Sequence, residues 1–446
     1  MGRRPSCISP GFFALLSLSL ELSALEAAQD PLEAILARIT PPEIPARDVI
    51  VPPSAGNARA AINQAIESCH NSGGGRVVLP AGTWLSAGPI EFKSSVELHL
   101  KRGATLRFST TPTDYLPMVL TKFEGTLLYN YSPLIRAYEV TNVALTGEPG
   151  SVIDGQGQEG FSKWRAHQTN DQDALRKMGN DTVPHYQRLF GPDHYLRPVF
   201  VQFFGCTNVL VEGVTLIDSP FWVVHPTFSS NVIVRGITVN SPHVNNDGVD
   251  PDSCVDVLIE RNNITSGDDC IAIKSGRDAD SWQMGQPTQN VVVRGNICNG
   301  PGNGICVGSE MSGGVENVLA MNNTMVDVGS AIYFKSNLDR GAWVTDIVFD
   351  GVTVAHSSEC ISFTNNYHGA RGGDFPTLFR NYSLSNVLCV SVSGTALSVD
   401  GLPQMPIADV RLTNVTVSQA RRATSFNNTR RFVFDNVKVR ACLFQR

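Results

Sequence analysis

The sequence predicts an all-β fold, a single-stranded parallel β-helix, and two observations carry this prediction. One short motif recurs along the chain and consists of a polar Asn or Asp, several alternating aliphatic residues, and then Gly or Asn. Successive motifs between Asn208 and Asp346 start 23, 25, 34, 27 and 29 residues apart, which is the spacing of stacked supersecondary units. The motif begins at Asn142, Asn208, Asn231, Asp256, Asn290, Asn317, Asp346 and Asp409.

The length of the repeat decides between the architectures that stack strands. A unit this short cannot hold a crossover helix, and no amphipathic helix lies between the motifs, so a TIM barrel and a doubly wound sheet are disfavoured. A β-propeller is the remaining alternative, although its blades usually need four strands and a longer period. We therefore expect one β-helix from about Asp48 onward, in which the Asn residues of the motifs form a ladder of turns.

The first residues have the features of a secretory signal peptide. Arg3 and Arg4 precede an apolar run from Gly11 to Leu20, and small residues follow as far as Ala28. The run is too short to span a bilayer, and no other segment is suited to do so. We expect residues 1–28 to be removed and residues 29–446 to form one β-helix domain that is secreted or periplasmic.

A short amphipathic helix is predicted ahead of the first coils. The apolar residues between Asn57 and Cys69 have helical spacing, Asn57 is a capping residue, and the glycines from Gly73 to Gly75 end the helix. A helix in this position would cover the open end of the stack.

Composition and charge restrict the partners and the disulfides. The chain has 446 residues and a formal net charge of −6, which argues against nucleic-acid binding. Binding to an acidic polymer would need local Lys and Arg side chains. Nine of the ten cysteines follow the predicted signal peptide, and Cys270 with Cys298, one period apart, is the best candidate for a disulfide.

Two insertions interrupt the repeat. The longer one runs from Gly155 to Pro198, is rich in aromatic residues, and contains a predicted helix near Asp171 to Met178. The shorter one runs from Arg277 to Gln289. Long loops on a regular scaffold usually carry function. We expect both insertions to form walls of a cleft and the longer one to close one end of it.

A cluster of carboxylates lies in the most distinctive stretch of the chain, from Val244 to Gly276. One alternating strand separates the two acidic segments, so residues one period apart should stack about 4.8 Å apart in neighbouring coils. Carboxylates this close cannot all ionise freely, and a glycosidase needs such a pair, one acid and one base. Turn formation and calcium binding are the alternative interpretations. The carboxylates are those of Asp247, Asp250, Asp252, Asp268 and Asp269.

Four short stretches follow the strands of successive predicted coils. They are N-N-D-G-V-D from Asn245, S-G-D-D-C from Ser266, Gly300 to Glu310 and Ala331 to Asn337. Their order resembles the polygalacturonase family of glycoside hydrolases, family 28, with its N-T-D, D-D, G-H-G and R-I-K signatures. Flanks such as Ser219 to Pro226 are similar to the exo-type bacterial and plant branch. The resemblance covers nearly all of the chain after the signal peptide and implies a right-handed, pectin-lyase-like β-helix and a pectic substrate.

The resemblance also implies roles for individual residues. Asp268 matches the general acid of an inverting mechanism, and Asp247 and Asp269 match the carboxylates that polarise the attacking water. Lys335 matches the family's last Lys, which contacts a galacturonate carboxylate. Lys274, on the strand after Asp269, is a further candidate for binding the same substrate. The other candidate substrate-binding residues are Asn245, His225 and Tyr367.

Two positions depart from the family pattern. Asn303 stands where the family has a His, and Tyr333 stands where it has an Arg. Asn cannot carry a proton charge, and Tyr cannot hold a carboxylate with two hydrogen bonds. Both remain candidate substrate-binding residues, and we expect weak activity on plain polygalacturonate. A substrate whose leaving side lacks a free carboxylate, such as rhamnogalacturonan or an esterified galacturonan, should be preferred.

Several functions stay open at this point. The leading hypothesis is a secreted, polygalacturonase-like hydrolase of pectic α-linkages, with a rhamnogalacturonan-type hydrolase as its nearest alternative. A pectate-lyase-like enzyme would use the carboxylates to hold Ca²⁺, and a β-helix with a decayed site would only bind carbohydrate. For the hydrolase we expect no metal or other cofactor, no nucleic-acid or membrane partner, and a monomer that acts on a pectic polysaccharide or oligosaccharide.

Overall fold

Parallel strands wind around one elongated hydrophobic core in the computed structural model, which describes residues 32–53 and 56–441. The strands in these ranges are β1 Asp48–Ile50, β2 Gly75–Leu79, β3 Gly82–Ser86, β4 Ile90–Glu91, β5 Val96–Leu100, β6 Ala104–Phe108, β7 Val119–Phe123, β8 Thr126–Asn130, β9 Ile135–Tyr138, β10 Thr141–Gly147, β11 Val152–Asp154, β12 Leu189–Phe190, β13 Val201–Phe204, β14 Thr207–Glu212, β15 Thr215–Ile217, β16 Val224–Thr227, β17 Ser230–Arg235, β18 Thr238–Ser241, β19 Val255–Glu260, β20 Asn263–Ser266, β21 Ile271–Ile273, β22 Thr288–Arg294, β23 Ile297–Asn299, β24 Ile305–Val307, β25 Val315–Lys335, β26 Trp343–Thr364, β27 Leu378–Asp400, β28 Ile407–Asn427, β29 Thr429–Asp435 and β30 Lys438–Ala441.

Consecutive coils stack in register, so that equivalent strands form three parallel rows. Row A contains β2, β5, β10, β14, β17, β19 and β22. Row B contains β3, β6, β11, β15, β18, β20 and β23. Row C contains β4, β9, β13, β16, β21 and β24, with residues 249–252 bridging β16 and β21. From β25 to β28, single long strands pass through all three rows, and the short strands β29 and β30 pair with β28 at the end. This is the parallel β-helix that the repeat predicted.

The polar residue at the start of each motif forms a turn ladder, which confirms the structural interpretation of these residues. All eight motif starts have left-handed backbone angles, with φ between +52° and +59°. Asn and Asp tolerate this region better than other residues with a Cβ. Their side chains also bond from coil to coil, since Asn208 Nδ2 donates to Asn142 Oδ1 at 2.8 Å and Asn231 Nδ2 donates to Asn208 Oδ1 at 2.7 Å.

The predicted capping helix is present with shifted bounds. It runs over Arg59–Asn71, and Asn57 Oδ1 accepts a hydrogen bond from the Arg59 N–H at 3.0 Å. Ile62 and Ile66 are buried in the main core, so the helix covers apolar residues of the first coils. Within the described ranges, residues 32–36 are helical, and the later helices are α1 Arg59–Asn71, α2 Thr169–Asn180 and α3 Asp278–Met284, with 3-10 turns at Pro112–Tyr115, Phe161–Ala166 and His185–Gln187.

The segment before β1 lies across the outer face of row A. Ile35 and Ile39 are buried there against aliphatic residues of successive coils, and the Arg38 guanidinium pairs with Asp256 at 2.7 Å. This segment covers one line of outward apolar side chains in row A and β25, a contact that the repeat did not reveal. They are Ala144, Leu210, Ile233, Leu258, Val292 and Leu319.

The predicted signal peptide, residues 1–28, lies outside the described residues. Within the described ranges, no helix has both the length and the apolar character needed to cross a bilayer.

Two disulfides join neighbouring coils. One links Cys270 to Cys298, the pair that the one-period spacing favoured. The other links Cys360 to Cys389, which the sequence did not single out. The remaining cysteines of the described ranges are buried free thiols, namely Cys69, Cys206, Cys254 and Cys306.

Three segments outside the repeat fold together over row C. The longer insertion contains α2, where a helix was predicted, and the shorter one contains α3. An antiparallel hairpin of β7 and β8, which was not predicted, contacts both helices, and β12 extends it. These segments are the walls of a cleft that lies over the middle coils.

Candidate active site

The carboxylates lie at the corner where the chain enters row C. Asp247 precedes residues 249–252, and Asp268 and Asp269 precede β21. Gly248 N–H donates to Asp269 O at 2.9 Å and Cys270 N–H donates to Asn303 O at 2.8 Å. This register stacks Asp247, Asp269 and Asn303 in consecutive coils, so that Asp269, and not Asp268, lies over Asp247. One oxygen from each of Asp247, Asp268 and Asp269 lies within 4.8 Å of the others.

Two buried ammonium groups compensate two of these carboxylates. Lys335 Nζ lies 2.7 Å from Asp269 Oδ2, and both side chains are at most 4% exposed. Lys274 Nζ lies 3.2 Å from Asp247 Oδ2 and is 3% exposed. Asn303 Nδ2 donates to the other oxygen of Asp269 at 2.9 Å. Asp269 therefore has a donor at each of its oxygens.

Asp268 is compensated least among the three. Its Oδ1 accepts the Asp269 N–H at 3.0 Å, and its Oδ2 faces Asn245 Nδ2 at 3.4 Å. Asn245 is itself held by Arg197, whose Nη2 donates to Asn245 Oδ1 at 2.7 Å. No Lys or Arg side chain within the described residues forms a salt bridge with Asp268. Asp268 is also the half-exposed member of the trio, so it can reach a bound substrate.

The surroundings separate the proton affinities of the carboxylates. Burial and then the charge of Asp269 raise the pKa of Asp268. For Asp269, burial opposes ionisation, but the Lys335 and Lys274 charges and the bonds from Lys335 and Asn303 hold its pKa below the usual value. Burial raises the pKa of Asp247 well above its usual value, although the charge of Lys274 opposes that rise. The geometry thus provides a proton donor, Asp268, beside an anionic acceptor, Asp269.

A fourth carboxyl, Asp250, lies behind the trio. It is 0% exposed, and neither of its oxygens has a hydrogen-bond partner. Burial and the charge of Asp247 raise its pKa well above the usual value. Because Lys274 and Lys335 supply two positive charges to four acidic groups, the four cannot all ionise freely, and Asp269 is the one whose pKa lies below its usual value.

One side of the cleft is a charged wall, defined here as Glu124, Arg176, Arg277 and Glu310. Glu124 lies in the turn between β7 and β8, and its Oε2 contacts Arg176 Nη2 at 2.6 Å and Arg277 Nη2 at 3.2 Å. Arg277 Nη2 also contacts Glu310 Oε1 at 2.5 Å. Arg176 is on α2, and Arg277 directly precedes α3. Glu124 therefore ties the hairpin and both insertions into one wall that lines the same pocket as the trio.

Another part of the pocket lining follows the last row-C strands. Arg371 is 55% exposed there and lies 3.7 Å from Asp173 of α2, and the Tyr367 ring centroid lies 5.0 Å from Lys335 Nζ. Arg340 is buried, donates through Nε to Ser309 O at 2.6 Å and pairs with Asp278 at 2.5 Å. Further lining residues in this part are Asn337, Asp339, His368 and Gly369.

The structure distributes the candidate substrate-binding residues differently from the sequence-based prediction. Lys274, Lys335, Asn245 and Tyr367 line the pocket with the three Asp residues. His225 does not, because it is 0% exposed, with Nδ1 3.2 Å from Gln202 Nε2 and Nε2 3.4 Å from Asp252. Its predicted place in the cleft is wrong, since β7 and β8 cover that part of row C. Asn303 and Tyr333 lie beside the pocket, where Asn303 bonds to Asp269 and Tyr333 packs edge-on to Tyr367.

The sequence analysis did not identify the residues of the charged wall or Arg371 as candidate site residues. These residues come from five separate segments, and only Arg176, Arg277 and Glu310 lie in stretches that the sequence analysis singled out. The signal that could have found part of the wall is Arg277, which opens the shorter insertion directly after S-G.

The donor set fits a metal ion poorly. Calcium takes six to eight oxygen ligands. Of the three carboxylates that meet here, Asp247 and Asp269 already carry ammonium partners. This arrangement favours an acid–base site over the calcium-dependent alternative.

Comparisons with known proteins agree with this geometry. Residues 69–442 match the model of glycosyl hydrolases family 28. A probable polygalacturonase of Vitis vinifera is 31% identical over 367 residues, which cover 79% of this chain and 69% of that protein.

Solved structures agree as well. A hyperthermoactive exopolygalacturonase from Thermotoga maritima is 36% identical, with a TM-score of 0.85 over 92% of this chain and 96% of that chain. The polygalacturonase from Erwinia carotovora is 21% identical, with a TM-score of 0.63 over 88% of this chain and 98% of that chain, and it shares the fold.

Proposed function

Because the chain belongs to glycosyl hydrolases family 28, we propose that it hydrolyses the α-linkages of a pectic polysaccharide by inversion and removes units from one end of the chain. The observation that carries this proposal is the trio of Asp residues with unequal proton affinities beside a charged wall. The trio supports hydrolysis, and the wall supports terminal action.

The residues act in one concerted step. Asp268 gives its proton to the glycosidic oxygen while the bond from that oxygen to the anomeric carbon breaks. A water molecule attacks the same carbon from the opposite face and loses a proton to Asp269, with Asp247 accepting the second hydrogen bond of the water. Lys335 and Lys274 offset the negative charge of the two accepting carboxylates.

The carboxylate spacing bears on the stereochemical outcome. An inverting pair is usually about 6.5–9.5 Å apart, and the oxygens here lie closer, within 4.8 Å. Spacing alone would favour retention. Both oxygens of Asp269 accept hydrogen bonds, from Lys335 and Asn303, which weakens this carboxylate as a nucleophile. We infer inversion from this and from the family resemblance.

Proton NMR of the first turnovers on an α-linked galacturonate trisaccharide tests both parts of the proposal. We expect a single galacturonate and a disaccharide as first products. The released galacturonate should appear as its β-anomer, and its α-anomer should form only by mutarotation. A released galacturonate that is initially the α-anomer would contradict inversion. On the polymer, a fast fall in viscosity with little released sugar would contradict terminal cleavage.

Cationic groups in the pocket support an acidic sugar as the substrate. Arg371 lines it and is 55% exposed, whereas the other cationic lining residues, Arg176, Arg277, Arg340 and Lys335, already pair with carboxylates. The expectation of weak activity on polygalacturonate depended on the absence of a guanidinium at Tyr333, and Arg371 supplies an exposed guanidinium from another segment. We therefore propose galacturonate as the terminal unit. A comparison of turnover on polygalacturonate with turnover on rhamnogalacturonan and on esterified galacturonan tests this proposal.

Glu124→Ala is expected to loosen the charged wall and reduce terminal action. The change removes the common acceptor of Arg176 and Arg277, and one bond to a charged group contributes roughly 1.5–3 kcal/mol. We expect longer products and a fall of about tenfold or more in kcat/KM on the trisaccharide, measured by chromatography of early products. Glu159→Ala, at an exposed Glu in the longer insertion, is the matched control. An unchanged product profile in the Glu124 variant would show that the wall does not set the mode of cleavage.

We also propose that the enzyme is exported, on the evidence of residues 1–28. Sequencing the amino terminus of the protein recovered from the medium or periplasm tests the predicted cleavage.

A further inference from the structure

We propose that Lys274 is a positioning residue that holds Asp247 in place and favours its anionic form, and that it does not bind the substrate carboxylate. The proposal rests on the proposed hydrolytic mechanism, in which Asp247 helps to hold the attacking water. It replaces the role that the sequence suggested for Lys274, which was contact with the substrate.

The surroundings of Lys274 occupy its three N–H donors. Its Nζ lies 3.2 Å from Asp247 Oδ2, 3.2 Å from Glu310 Oε2, and 4.3 Å from the centroid of the Trp222 ring. An ammonium group has three N–H bonds, and two carboxylates and an aromatic face account for all of them. The side chain is 3% exposed. A substrate carboxylate could reach this ammonium only by displacing an existing partner.

Glu310 fixes Lys274 from the side opposite Asp247. Its Oε1 accepts from Arg277 Nη2 at 2.5 Å and from Ser309 Oγ at 3.0 Å, which leaves Oε2 for Lys274. Arg277 in turn contacts Glu124. A continuous chain of ion pairs therefore runs from the charged wall to Asp247.

The charged groups around Lys274 come from several elements. Asp247 and Asp250 lie on the preceding coil, Asp268 and Asp269 precede its own strand, and Glu310 follows β24. Asp252, its register partner, is bonded instead to Lys122 at 2.7 Å. Lys335 lies on β25, across Asp269. Burial disfavours the charged ammonium, but Asp247, Glu310, Asp250 and Asp269 outweigh it and raise the pKa of Lys274 well above its usual value.

Loss of the Lys274 ammonium should change the pH dependence of kcat, whereas loss of a group that only binds substrate should not. Without Lys274, burial and the neighbouring carboxylates would raise the pKa of Asp247, because its main opposing charge is gone. Asp247 would then hold a proton at pH values where the wild type is anionic. The acidic limb of the kcat profile would move to higher pH, and substrate affinity would stay nearly constant.

The experiment compares Lys274→Met with Lys274→Arg on the galacturonate trisaccharide across pH, with Lys93→Met as the control for an exposed Lys. For Lys274→Met we expect a 10- to 100-fold lower kcat, a KM within about twofold of wild type, and an acidic limb at least one pH unit higher. Lys274→Arg should restore much of kcat and return the limb toward the wild-type position. A tenfold rise in KM with an unmoved limb would assign Lys274 to the substrate, and wild-type kinetics would leave it no role. Either result overturns the proposal.

A second measurement does not depend on the substrate. Lys274→Met leaves buried carboxylates uncompensated, so Lys274→Met/Glu310→Gln is the variant to use if the single change does not fold. A thermal-unfolding cycle of Lys274 with Asp247→Asn should show coupling, and additive changes in Tm would refute the ion pair. If wild type proves inactive on pectic chains, the proposed function fails, and this cycle still decides whether Lys274 and Asp247 are linked.

Discussion

Asp268→Asn is expected to lose turnover on pectic polymers by about 10²–10⁴-fold, the usual contribution of a general acid. Asn keeps the shape and the acceptor oxygen but has no proton of suitable acidity. Tm should stay at or slightly above the wild-type value at neutral pH. Asp268 has a raised pKa, and a buried carboxyl of that kind destabilises the fold as pH rises above the unfolded pKa, a cost that Asn removes.

The leaving group provides a sharper test of the acid assignment. An aryl galacturonide with a nitrophenolate leaving group departs without protonation, so Asp268→Asn should retain most of its turnover on that substrate. Asp218→Asn is the matched control, because the pKa of Asp218 is also raised by burial and this residue does not line the pocket. Equal losses on polymer and aryl substrate would show that Asp268 is not the proton donor.

The sequence predicted the fold and the trio for the same physical reason. Parallel strands stack at a fixed spacing, so a motif that repeats every 23 to 34 residues brings equivalent positions together whatever the loops do. The right-handed, pectin-lyase-like β-helix and the meeting of Asp247, Asp268 and Asp269 follow from that spacing and the family resemblance.

What the sequence did not predict depends on contacts between segments far apart in the chain. Glu124 and Arg277 are 153 residues apart, and no periodicity links a hairpin turn to an insertion. The same holds for His225. The sequence predicted that it lines the cleft, but the distant hairpin of β7 and β8 covers it. The sequence also could not decide which of the adjacent Asp268 and Asp269 stacks on Asp247, because only the backbone bonds determine that register.

Asp269→Asn is expected to abolish turnover on polymer and aryl galacturonide alike. A good leaving group replaces the acid but not the group that takes the proton of the attacking water, so this variant should fail where Asp268→Asn succeeds. The measurement is the ratio of turnover on the two substrates in each variant. A variant of Asp269 that recovered on the aryl substrate would exchange the two assignments.

Stability separates the two variants a second time. Asp269 is the partner of the buried Lys335 ammonium, and removal of one member of such a pair costs about 3–5 kcal/mol. Tm of Asp269→Asn should therefore fall, whereas Tm of Asp268→Asn should not.

Because the pKa of Asp269 is lowered in the folded state, its contribution to stability is present above the unfolded pKa and is lost as pH falls through the folded pKa. The Tm difference between wild type and Asp269→Asn should thus narrow in acid. Asp269→Asn/Lys335→Met should recover Tm without recovering turnover. A Tm unaffected by Asp269→Asn at neutral pH would mean that Lys335 does not stabilise the anion on which the proposed base depends.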